Sequence, residues 1–132
     1  MNDARSALLL ALLAACAILI FTPLSAIAHH GWADFDASSE LTLHGVVVDF
    51  HYVNPHSVVE FTATDEKGQT RQWQGEFGSP NELARKGWSQ TSLNAGDKMT
   101  ITGHPAKNGV PALHVSSITL ANGQEVKLYG GR

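Results

Sequence analysis

Beyond residue 28 the chain has no cysteine; the single one, Cys16, lies in an apolar leader. A disulfide is therefore excluded from the folded part, and so is a cysteine nucleophile. Stability has to come from the core or from a ligand. Basic residues are few and scattered: after residue 28 there are eight Lys/Arg against eleven Asp/Glu, with no basic cluster. That balance speaks against nucleic acid, whose binding rests on concentrated positive charge. The common catalytic templates are missing too. There is no G-x-S-x-G elbow, no phosphate-cradling glycine loop and no H-E-x-x-H. Internal repeats and low-complexity segments are also lacking.

What is present begins with the longest apolar run. Ser6 to Phe21 is almost wholly apolar, and Ala26-Ile27-Ala28 puts small residues where a signal peptidase reads. Pro23 falls where a signal helix should break. Residues 1–28 are therefore expected to be a signal peptide, removed on export to the periplasm. Two rival readings are a membrane anchor over Ala7 to Ala28 and a lipid-bearing Cys16 after Leu13-Ala14-Ala15. Against lipidation, Cys16 is followed by an apolar stretch and not by a polar tether. Cleavage leaves roughly a hundred residues, enough for one small domain with one core.

Residues 29–39 read as an extended lead-in and 40–132 as the domain. Glu40 to Tyr52 is β-branched and apolar, a long strand. Its alternation changes phase: Leu41 and Leu43 share one face, and Val46, Val48 and Phe50 the other. Gly45 sits at the change, which predicts a bulge or sharp bend there. Asn54-Pro55 marks a turn. Ser57 to Thr64 is a second strand with Val59, Phe61 and Ala63 on one face. Asp65 to Gly68 reads as a hairpin loop, and Arg71 to Phe77 is a third strand with Trp73 and Phe77 inward.

One short helix follows. Ser79 is an N-cap, Pro80 fits the first turn, Glu82 completes a capping box and Gly87 is the stop. Strands resume at Lys98 to His104 and Ala112 to Leu120, parted by a turn at Lys107-Asn108-Gly109. Asn122-Gly123 turns the chain into Glu125 to Leu128. Three strands, a helix and two more strands, with a long bent first strand, match a small OB-like Greek-key barrel. A β-sandwich is the alternative, but it does not need the helix in that place.

The seven histidines all follow residue 28. Cleavage after Ala28 would give His29 a free α-amine. Amine and imidazole of one residue close a chelate ring, and one further imidazole completes a T-shaped three-nitrogen copper site, a histidine brace. Nitrogen donors in tetragonal geometry suit Cu(II), which stands highest in the divalent affinity order. Both donor types lose their protons near neutral pH, with pKa values of roughly 7.7–8.0 for the amine and about 6.5 for the ring. His30 is an alternative to His29. The third donor is expected from His51 or His56, which flank the Asn54-Pro55 turn at one end of the barrel. His44, His104 and His114 fall on different strands and read as ordinary strand residues.

Aromatics form the second group. Trp32, Trp73 and Trp88 read most simply as core or rim. A ligand cleft flanked by Tyr52 and Trp88, with Asn54, Trp73 and Glu76 near it, is the functional alternative. Glu76 alternates away from Trp73, so solvation is its expected state. It could instead cap the turn at Ser79 or orient a ligating histidine from behind.

Several of these pieces together carry a resemblance. The Ala28-His29-His30 start, Asn54-Pro55-His56, Trp73-x-x-Glu76 and Ser79-Pro80-x-x-Leu83-x-x-x-Gly87-Trp88 resemble a family of small exported bacterial proteins catalogued as a domain of unknown function. The resemblance implies export and a compact β-rich domain over essentially the whole mature chain. It also singles out His29, His30 and His56, and leaves His51 outside its motifs.

The function expected from the residues is a non-enzymatic periplasmic metal-binding protein, with a copper ion on His29 or His30 and one or both of His51 and His56. The second expectation is a binding module for a small organic molecule or a protein partner, with no metal. A hydrolase or lyase using His56 and Glu76 as acid and base is the third and weakest.

Overall fold

The computed structural model describes residues 31–64 and 68–128. The expected signal peptide, His29, His30 and residues 65–67 of the expected hairpin loop lie outside them.

Five strands build the barrel: β1 (Leu41–His51), β2 (Val58–Thr64), β3 (Thr70–Glu76), β4 (Lys98–Pro105) and β5 (Ala112–Leu120). β1 pairs antiparallel with β2 and with β4, β2 with β3, and β4 with β5. β3 and β5 run parallel over three residue pairs, Gln74–Ala112, Gly75–Leu113 and Glu76–His114, and this short seam closes the barrel. The resulting circuit, 1-2-3-5-4-1, is that of an OB-like Greek-key barrel. The helix α1 (Pro80–Arg85) lies between β3 and β4, as expected, and β6 (Glu125–Lys127) pairs onto β5.

The interior is filled by alternate residues of each strand. Val59 and Phe61 are fully buried and Ala63 nearly so, and from other strands Ile101, Leu113, Val115 and Ile118 have no exposed surface. Each such large side chain is worth about 1.5–3 kcal/mol of burial. Packing leaves no room beside the seam. A Cβ on Gly75 would stand 2.9 Å from Ile101, from Val115 and from Val59. Only glycine lets β3 come that close to the barrel centre.

The phase change in β1 is real but lies elsewhere. Leu43, Gly45 and Val47 face inward, and the register slips between Val47 and Asp49, so Phe50 returns to the core while Val46 and Val48 face out. Gly45 marks a close approach instead: a Cβ there would stand 2.6 Å from the Phe61 ring. Hydrophobic alternation alone could not separate these cases, because Val46 and Val48 are apolar yet exposed.

The helix begins as its sequence implies. Ser79 Oγ accepts from the Glu82 amide, and the Glu82 carboxylate accepts from the Ser79 amide at 2.7 Å. That backbone bond, with smaller help from the Ser79 hydroxyl and Arg85, holds the Glu82 carboxyl below its ordinary pKa. Leu83 is the residue the helix buries. Among the described residues no helix is long and apolar enough to cross a membrane.

The lead-in is strapped to the outside of the β4–β5 hairpin. Phe35 is 4% exposed and forms a bridge with Ala106. The Asp36 amide donates to the Pro105 carbonyl, the Lys107 amide to Asp34 O, and the Lys107 ammonium to Ala33 O. Asp36 then accepts from the Ser38 hydroxyl and amide and from the Ser39 hydroxyl, and these bonds lower its pKa to about 2.

Candidate functional site

The seam between β3 and β5 sets up an outer face that carries ionisable groups. Leu113 and Val115 point into the core, so His114 between them points out. Gly75 faces inward, so Glu76 also points out. Glu76 pairs with His114 across the parallel seam, and His114 pairs with His104 across the antiparallel one. Glu76, His114 and His104 thus form one row over three adjacent strands. Gly103 permits that row: a Cβ there would run into the carbonyl of His114, so β4 approaches β5 closely only with glycine.

His56 joins the row from the loop before β2. Its Nδ1 lies 2.6 Å from Glu76 Oε1, with His56 43% and Glu76 19% exposed at the side chain. The position is held on both sides. Ser57, the next residue, donates its amide to Gly78 O and accepts from the Phe77 amide. Before the turn, the Tyr52 hydroxyl donates to Pro80 O at 2.7 Å and lies 3.4 Å from Trp88 O. The Asn54–Pro55 peptide between these anchors is cis. In the neutral form of the ring, an Nδ1–H given to the carboxylate leaves the lone pair on Nε2.

Trp32, 47% exposed, covers His114: the ring centroids are 4.2 Å apart and 32° from parallel, and the same indole lies 5.4 Å from His104. Phe35 meets His114 edge-on at 5.6 Å. His114 is 5% exposed. Burial first, then the neighbouring charges of His104 and His56, push its pKa down to about 4, so the ring is neutral at pH 7. His104 is anchored through Nδ1 to the Ser39 carbonyl at 2.7 Å. A cleft of about 110 Å³, lined by Glu76, Val58, Asp34, Phe35 and neighbours, opens beside this face.

The other candidates are placed differently. His51 stands on open surface, 3.6 Å from Asp49 and 3.5 Å from Glu60, so His51 and His56 engage different carboxylates. Glu76 is not merely solvated, as alternation suggested, but is the partner of His56. Tyr52 and Trp88 do not flank an open polar cleft. Trp88 is 6% exposed and packs on Phe50 and Phe77 at 6.0 and 5.7 Å, and the Tyr52 hydroxyl is spent on the helix. Trp73 packs against the core, and Asn54 is exposed. Among the described residues no group of three or more His, Cys, Asp or Glu side chains is placed to hold a metal ion.

Reading the sequence strand by strand missed His104 and His114. The signal was the turn at Lys107-Asn108-Gly109: a hairpin folded about residue 109 sets 104 opposite 114, as the register does.

Fold and site together define a small closed β-barrel whose outer seam carries a carboxylate-anchored histidine beside a tryptophan-covered one. The chain belongs to a family of unknown function (DUF6152), which it matches over residues 17–113. That match takes in His29 and His30 and both members of the His56–Glu76 pair. No curated protein and no solved structure matches the chain.

Proposed function

We propose that the protein is an exported, non-enzymatic copper-binding protein of the periplasm, whose site joins the amino-terminal His29 to His56. The observation that carries this reading is the 2.6 Å contact of His56 Nδ1 with Glu76 Oε1. Ligating histidines characteristically give their second nitrogen to a carboxylate or carbonyl, which fixes the ring and raises its basicity. His56 has that arrangement, and its Nε2 is the donor left over.

The described residues alone do not assemble three donors. The brace supplies the missing two from one residue: cleavage after Ala28 makes the His29 nitrogen an amine, and its ring closes the chelate. Three peptide units link His29 to Trp32, so their Cα atoms lie within about 11 Å, and Trp32 stacks on His114, the cross-strand partner of Glu76. His51 drops out of the proposal, since Asp49 and Glu60 surround it on open surface. Three nitrogen donors favour Cu(II) over harder ions. Carriage or buffering of copper follows as the role.

The test is electron paramagnetic resonance of processed protein titrated with Cu(II). An axial three-nitrogen signal is expected, and one extra residue before His29 should abolish it. Unchanged binding in the extended form overturns the brace.

A further inference from the structure

The cleft beside the outer row has a use that copper binding does not supply. Its volume is about 110 Å³, well below the roughly 300 Å³ at which pockets for drug-sized ligands begin. An apolar cavity of about 150 Å³ admits benzene, so this one has room for about five non-hydrogen atoms. Phe35, Val58, Val110 and Ala112 give it apolar walls. Backbone bonds fix those walls: Phe35 bridges Ala106, the Ala106 amide donates to Ala112 O, and the Gln74 amide donates to Pro111 O. The cleft is therefore formed in advance of any ligand, which lowers the cost of binding.

The charge of the lining has one sign. Asp34 and Glu76 contribute carboxylates, and among the described residues that line the cleft none is Lys or Arg. The neighbouring Lys107 gives its ammonium to Ala33 O at 2.7 Å. Glu76 engages His56 through Oε1, and a carboxylate accepts on both oxygens. With its side chain only 19% exposed, a bond from an ammonium to it is less screened than one in open water. We propose that this cleft binds the alkylammonium group of a small primary amine, its hydrocarbon against Phe35, Val58, Val110 and Ala112 and its ammonium on Glu76. A neutral end group forfeits the charge-assisted bond, and an anion meets two like charges. The site needs neither a metal nor the residues before Gly31, so it stands apart from the copper reading.

The test is a titration of nitrogen-15-labelled processed protein with n-butylamine at pH 7, with a chelator present to remove metal. Saturable shifts are expected at the amides of Gln74, Glu76, Val110 and Ala112, while that of His44, which lines a different groove, stays in place. 1-Butanol, of the same length, should bind roughly five- to tenfold more weakly, and butanoate should not bind. E76Q should bring butylamine down to the level of butanol. A112L, which fills the cleft, should abolish binding, and its urea midpoint shows whether it folds; the comparison of the three probes on the parent protein decides the matter without it. Nα-acetyl-lysine methylamide binding alongside butylamine would make a lysine side chain the source of the group, and butylamine binding alone a free amine. No saturable shift with butylamine, or equal affinity for butylamine, butanol and butanoate, overturns the proposal whether or not the protein binds copper.

Discussion

His56 and Glu76 are joined at 2.6 Å although twenty positions separate them, and β2 and β3 are what bring them together. Both groups stay partly exposed, so the pair is accessible as well as oriented. A ring held through Nδ1 and 43% exposed at the side chain is what a ligand requires and what a core histidine lacks. If Glu76 orients a ligating His56, E76Q should weaken Cu(II) binding by about 10- to 100-fold while leaving the melting temperature nearly unchanged. Calorimetric titration checks both arms; equal affinity in E76Q would reduce the contact to a surface ion pair.

His114 gives a pH dependence of fixed sign. Its folded pKa of about 4 lies below the ordinary 6.5, so the unfolded chain takes up the proton first as pH falls. The stability it contributes is whole above about pH 6.5 and is lost as pH falls toward about 4, on the order of 3 kcal/mol. Urea midpoints should decline across that window in the parent protein and decline less in H114N. Parallel declines would assign the effect to other groups.

Gly75 is a packing requirement beside the site. G75A places a Cβ 2.9 Å from three core side chains, an overpacking that should cost about 1–3 kcal/mol. A lowered urea midpoint with unchanged m-value is the expected result. Since Glu76 follows Gly75 directly, the same variant should also disturb the His56 contact.

Much of this barrel was legible in the chain. The strands β2 to β5, the capping box at Ser79 and the stop at Gly87 follow from local chemistry, because turn residues and caps act within a few positions. The slip in β1 was mislocated because exposed Val46 and Val48 imitate core residues. The outer row was invisible for a different reason. Glu76 meets His114 only through the parallel seam, and Trp32 meets His114 only because the lead-in folds back; neither contact leaves a local pattern. His56 was singled out correctly as a candidate, but its partner is set by pairing across strands.

The cap offers a check on the helix that follows Glu76. S79A removes one half of the reciprocal pair with Glu82 and should cost about 1 kcal/mol, read as a shifted urea midpoint. A neutral outcome would mean that Tyr52, through Pro80 O, and buried Leu83 suffice to hold the turn.

The central claim is that His56 completes a site begun at the amino terminus. The most direct measurement is the nitrogen hyperfine pattern of one equivalent of Cu(II) on processed protein, compared with H56A. Three coupled nitrogens are predicted in the parent and two in H56A, with weaker binding. An identical pattern and affinity in both proteins would contradict the account.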